Sequence, residues 1–327
     1  MSDRKDWPRS IKAIGVIGVG GIGRSICHRL AARKYAVGVS KIAAFDPDDA
    51  ALAGFSDSDV VTCKSGAHLV DMVDLVLLCL PDGADVAKVA RSHEGLIDCV
   101  HQGQIIIDHG WSSLNLTRQL STAIASRGAA FLDAPIRRSG DVDHAIAGGR
   151  LGLAIGGDPL AIDAVKTPLG SIAHSITPVG QAGAAQVVRQ LGDLVAFQTF
   201  AALAEALVTA RAFGIEEGNL FNALAGGQGD GADIGRPGLA AFLAVNDSPK
   251  ESRISIDDAG KRLDEAIQLA HAKKLTLDGA KSTMALLEKA RERGLGDGGL
   301  IGLFGVIEPG ADGQRSSDVR QRQHARS

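Results

Sequence analysis

Little in this sequence ties it to a polyanion, a bilayer or an oxidising compartment. Its 35 basic and 38 acidic side chains leave a net charge of -3 over 327 residues. No field draws such a chain to a phosphate backbone or an anionic lipid surface, so neither nucleic acid nor membrane is expected as a partner. Cysteine is scarce, and the four present, Cys27, Cys63, Cys79 and Cys99, show no CxxC spacing; they read as reduced core thiols rather than metal ligands or disulfides. The opening residues MSDRKDWPRS have neither the apolar stretch nor the small-residue cleavage site of a secretory signal, which predicts a cytoplasmic protein. The longest apolar run, Leu194 to Ala210, is interrupted by Gln198, Thr199 and Glu205. It falls short of the ~20 apolar residues a bilayer requires and predicts a buried helix.

What is abundant is glycine and apolar residues, 41 glycines and 45% hydrophobic. The length predicts two domains, each with material for a core, and glycine without a repeat period belongs in tight turns and close backbone approaches. Short apolar runs at 13–18, 41–45, 75–80, 104–108, 129–135 and 151–157 alternate with helical stretches. Runs apolar throughout, rather than on alternate residues, predict a parallel sheet buried on both faces, a doubly wound α/β domain over residues 11–178. Beyond Gly180 the strand signal disappears. Ala/Leu-rich helical patterns run over 183–213, 217–224, 257–273 and 277–293, predicting an all-helical second domain over 179–309, joined to the first by a long interdomain helix. The segment 226–238 reads as a surface loop, and residues 310–327 as a disordered tail.

Gly18-Val19-Gly20-Gly21-Ile22-Gly23 fits G-x-G-x-x-G between an apolar strand and the amphipathic run IGRSICHRLAARK. This context carries a dinucleotide. The first glycine turns the chain, the second admits a diphosphate to the backbone, the third packs helix on strand, and the helix start supplies free N–H groups. The next apolar run ends at Asp46, just over 20 residues past Gly23, where a carboxylate accepts from an adenosine ribose hydroxyl. That charge repels a 2′-phosphate, and Pro47 stands where an NADP enzyme often has arginine. NAD(H) is therefore expected rather than NADP(H), with Arg33 and Lys41 the nearby cations that could reverse the preference.

With these residues in hand, the chain resembles the β-hydroxyacid dehydrogenase family, which includes 3-hydroxyisobutyrate dehydrogenase and the 6-phosphogluconate dehydrogenases. The likeness runs from about residue 13 to 308. It comprises the glycine motif, Leu80-Pro81, Asp108-His109, Asp133-Ala134-Pro135-Ile136, Ala147-Gly148-Gly149-Arg150-Leu151, Ile155-Gly156-Gly157-Asp158, Ala204-Glu205-Ala206 and Lys261-Arg262-Leu263. The resemblance implies an N-terminal Rossmann domain, a helical second domain, a cleft between them, and cofactor contacts from Leu80, Pro81 and Lys261. It also locates departures. The family's interdomain lysine and the asparagine four residues on are Arg189 and Asp193 here. Its substrate loop reads Ile136-Arg137-Arg138-Ser139, and Gly110-Trp111 replaces its Ser-Thr pair.

These departures have chemical consequences. Alcohol oxidation with NAD needs a group that takes the hydroxyl proton as hydride leaves. An arginine remains protonated, so Arg189 can hold and polarise an oxygen but not exchange the proton. Asp193, one turn further on the same face, or a water, must then relay it. Arg137 and Arg138 suit a carboxylate, sulfonate or phosphate, and Trp111 suits a nicotinamide wall or an apolar substrate; His109 reads as structural. Three readings stay open: a dehydrogenase of a small anionic hydroxy acid, an imine reductase, and a dinucleotide-binding protein without turnover. The resemblance implies a homodimer or homotetramer, which an interdomain helix apolar on more than one face also fits.

Overall fold

A computed structural model describes residues 7, 10–56, 58–93, 95–137, 142–226 and 254–307. The loop expected at 226–238, the tail, Arg138 and Ser139 lie outside them, Gly226 excepted. The chain divides into two compact units, Met1–Arg189 and Gln190–Ser327.

The first unit holds one eight-stranded sheet, ordered β3-β2-β1-β4-β5-β6-β7-β8. Its strands are β1 Ala13–Ile17, β2 Lys41–Phe45, β3 Val60–Thr62, β4 Leu75–Leu78, β5 Ile105–Asp108, β6 Ala130–Asp133, β7 Leu151–Gly156 and β8 Ala173–Gly180. All neighbours are parallel except β6 and β7, which meet antiparallel at Asp133 and Gly156. Six strands coincide with the apolar runs. The other two were not expected. β3 has only three residues, too few for a pattern. β8, AHSITPVG, is largely exposed at the sheet edge and carries Pro178, which an edge strand tolerates because its outward N–H has no ladder partner to lose.

The helices of this unit are α1 Gly21–Arg33, α2 Asp49–Leu52, α3 Gly66–Asp71, α4 Gly83–Arg91, α5 Leu96–Cys99, α6 Leu114–Ala125, α7 Val142–Gly148 and α8 Pro159–Leu169. Alternate strand residues enter two separate cores, as period-two side-chain direction requires. Leu75, Leu77, Ile105, Ile107 and Leu132 pack under α1, α7 and α8 through Ile26, Leu30, Ile146 and Val165. Val76, Leu78, Ile106 and Phe131 pack under α3 to α6 through Leu69, Val86, Leu96 and Leu120. Both faces are thus covered, which is why the strands are apolar throughout. Cys27, Cys63 and Cys79 are buried thiols, and Cys99 is half-buried.

Helix α9, Ala184–Ala212, starts in the first unit and continues into the second, followed by α10 Glu217–Gly226, α11 Ile256–His271, α12 Asp278–Glu292 and α13 Leu303–Ile307. Among the described residues of the second unit there is no strand beyond an isolated bridge, Ser255 with Gly299. Its core gathers Phe197, Phe200, Leu207, Phe221, Leu263, Leu287 and Phe304. The helical pattern expected over 183–213 is α9, and the apolar run 194–210 lies within it. Over 29 residues α9 is long and apolar enough to cross a membrane by length and composition, yet it carries Arg189 and Asp193 buried and packs Phe197, Phe200 and Leu207 into a protein core.

Candidate active site

The sheet order reverses between β1 and β4, and a ligand of an open α/β sheet sits outside the carboxyl ends of the strands at that reversal. The glycine turn occupies this position. Gly18 has φ of +88°, and its N–H donates to Phe45 O at 2.9 Å. A Cβ there would stand 2.9 Å from the carbonyl oxygen of Cys79 and from Leu80, at the end of β4. At Gly23 a Cβ would collide with the Gly18 carbonyl oxygen, so helix and strand close up only on glycine. Gly20 and Gly21 differ: a Cβ at either meets nothing within 4 Å.

That open space lies over the start of α1. Its N-cap is Gly20, with no side-chain cap and no acid in the first turn, whereas Ser65, Asp82 and Ser113 cap α3, α4 and α6. The N-terminal donors and positive dipole end of α1 therefore have no side-chain anion of their own, an arrangement that fits a diphosphate. Asp46 follows β2 half-buried and accepts from Val19 N at 2.8 Å and from Asp48 N at 3.0 Å. It thus sets the turn, and a carboxylate with about four acceptor sites keeps capacity for hydroxyl donors. Val19 is buried and Ile22 half-buried, Leu80 is buried, and Pro81 is exposed. Lys261 lies in the second unit on α11, 76% exposed and 3.8 Å from Asp258.

A second set of residues gathers where β5 and β6 end and α9 begins. Asp108 is fully buried; its carboxylate accepts from Gly110 N at 2.8 Å and Ser112 Oγ at 2.6 Å. Burial nonetheless raises its pKa to about 6. His109 is buried with Nδ1 2.8 Å from Ala134 O, and loss of solvation lowers its pKa to about 4. It is neutral at physiological pH and structural. Asp133, buried beside them, accepts from Gly183 N at 2.6 Å and Gln186 N at 2.9 Å. Burial pushes its pKa up while these donors pull it down. Asp133 thus caps the helix that carries Arg189. The sequence reading quotes Asp108 and Asp133 as motif members without these roles, and it misses Ser112, four residues past Asp108, and Gln186, whose contacts with Asp133 and Gly110 span 53 and 76 residues that no local pattern reveals.

Arg189 is 6% exposed and Asp193, one helical turn on, 1%. The Arg189 guanidinium carbon sits 4.9 Å from the Trp111 ring centroid, and Trp111 Nε1 donates to Ile136 O at 3.0 Å. Arg189, Trp111 and Ile136 therefore come together, and Arg137 next to them is exposed.

Fold and glycine turn together define a dinucleotide-binding protein of the Rossmann type. Residues 13–180, just over half the chain, match the NAD binding domain of 6-phosphogluconate dehydrogenase. The chain belongs to that family, the β-hydroxyacid dehydrogenases. It is 28% identical over 217 residues to a probable 3-hydroxyisobutyrate dehydrogenase of Mycobacterium tuberculosis, covering 66% of this chain and 70% of that one. In fold it is similar to Mycobacterium tuberculosis 3-hydroxyisobutyrate dehydrogenase solved with L-serine, with a TM-score of 0.74 at 23% identity over 91% of this chain and 99% of that one. An imine reductase from Bacillus cereus shares the fold at a TM-score of 0.58 and 13% identity, over 90% and 99% of the two chains.

Proposed function

We propose that this protein transfers hydride between NAD(H) and a small, anionic β-hydroxy acid or its semialdehyde or keto form. The observation that carries the reading is Arg189, a buried guanidinium held against Trp111 one turn before buried Asp193. A bound nicotinamide would supply the hydride acceptor for oxidation of the carbinol carbon, or the hydride donor for the carbonyl in reduction. The chain supplies the rest. Gly18 to Gly23 and the start of α1 hold the diphosphate, and Asp46 holds the ribose and disfavours a 2′-phosphate by charge repulsion. Arg189 donates hydrogen bonds to the substrate oxygen and stabilises its developing negative charge. Asp193 takes the hydroxyl proton in oxidation and gives it back in reduction. Arg137 and Arg138 bind the substrate's anionic group.

The test has two stages. NADH is expected to raise the melting temperature at concentrations where NADPH does not, since a ligand of the native state alone stabilises it once above its Kd. NADH consumption is then followed with β-keto acids, semialdehydes and cyclic imines, L-serine being added with NAD for the oxidative direction. Turnover of the acids with loss of about a hundredfold in Asp193→Asn supports the assignment; unchanged turnover in that variant removes Asp193 from the proton relay. Turnover of imines alone favours the imine reductase reading, for which the shared fold speaks. Binding of NADH without turnover of any compound favours a dinucleotide-binding role. The same reading includes a cytoplasmic homodimer or homotetramer, with apolar residues of α9 covered by a second copy.

A further inference from the structure

The turn after β5 grips α9 at two successive points. The carbonyl of Gly110 accepts Gln186 Nε2 at 2.9 Å, and the ring of the next residue, Trp111, lies 4.9 Å from the guanidinium carbon of Arg189. Gln186 and Arg189 are three residues apart, so both face the same side of the helix. The indole is itself held. Its N–H donates to Ile136 O at 3.0 Å, Ile136 N donates to His109 O at 3.1 Å, and Ser112 on its other flank is bonded to buried Asp108. An arginine side chain carries ~2 kcal/mol of rotamer entropy, and an aromatic face attracts a guanidinium by ~0.5–2 kcal/mol. A cation that must meet a reacting oxygen gains by being placed beforehand.

We propose that Trp111 is a positioning residue, whose ring holds the Arg189 guanidinium in place for the substrate oxygen and couples it to Ile136. The inference rests on the role given to Arg189 above and reassigns Trp111: the face turned to the arginine is not a surface for stacking substrate or nicotinamide.

Two measurements test it. The chain has two tryptophans, so Trp7→Phe leaves Trp111 as sole emitter. In that background Arg189→Ala is expected to raise acrylamide quenching of Trp111 about twofold, because the ring loses its cover. Unchanged quenching overturns the inference, whether or not the protein is a dehydrogenase, and this arm needs no substrate. In the second arm, with the acid that turns over, Trp111→Leu is expected to lower kcat about tenfold with NADH affinity unchanged, the equivalent of losing one partly buried cation–ring contact. Trp111→Phe, which keeps a ring, recovers most of that loss, and Trp111→Leu adds nothing in an Arg189→Ala background. Equal losses in the Phe and Leu variants, or losses that multiply in the double variant, overturn the positioning role. Should the Leu variant not fold, the Phe variant against Arg189→Ala and the quenching arm decide.

Discussion

Asp108 and His109 are adjacent, both buried, and shifted in opposite directions by the same loss of water. Asp108 titrates near 6 against an ordinary 3.8, so between about pH 4 and 6 the native state binds the extra proton and this residue's contribution to stability falls as pH rises. His109 titrates near 4 against 6.5, so between about pH 4 and 6.5 the unfolded state binds the extra proton and its contribution rises with pH. The two slopes oppose each other. Urea denaturation across pH 4 to 7 is therefore expected to show Asp108→Asn gaining stability with pH more steeply than the parent, by up to about 1.4 kcal/mol per pH unit, and His109→Asn less steeply. The same slope in all three proteins refutes the shifts. At the glycine turn the expectations separate binding from folding. Gly20→Ala adds a methyl to open space, so stability changes by less than about 1 kcal/mol while NADH Kd rises about tenfold or more where the diphosphate must pass. Gly23→Ala forces a methyl onto the Gly18 carbonyl and is expected to cost about 2–4 kcal/mol in chemical denaturation.

At the scale of elements, the start of α9 depends on one side chain from β6. Asp133 accepts two of its first N–H groups, and a buried carboxylate at a helix N-terminus gains from both the hydrogen bonds and the dipole. Asp133→Ala leaves those donors buried without an acceptor and is expected to lower stability by about 2–4 kcal/mol. It should also reduce turnover through Arg189, carried on the next turn. Asp133→Asn, which keeps one acceptor, should lie between; a melting temperature equal to the parent's in Asp133→Ala contradicts the cap. The strands divide similarly. β4, β5 and β6 are central and entirely buried, so the apolar content that marks them in sequence is the content their place demands. β8 at the edge needs little apolar surface and leaves no such mark.

Across the whole molecule, α9 leaves Val188 42%, Leu191 45% and Val195 62% exposed, at i, i+3 and i+7 on one face. If a second copy covers that face, light scattering is expected to give a dimer or larger species for the parent. Leu191→Glu, which places a charge in a desolvated contact, should shift it toward monomer. A parent that is monomeric at all concentrations measured refutes the assembly.

Runs of apolar residues determined six of the eight strands and the position of α9, because burial on both faces of a sheet leaves a direct compositional trace. The glycine turn and Asp46 were legible for a related reason: backbone approach to a phosphate restricts residue type at fixed, short spacing. Tertiary structure alone decided the rest. That Asp133 caps α9, that Trp111 lies against Arg189, and that Asp108 and His109 titrate in opposite senses all depend on contacts between segments 25 to 78 residues apart or on the water they exclude. Neither a pattern within one segment nor the identity of a single residue encodes such a distance.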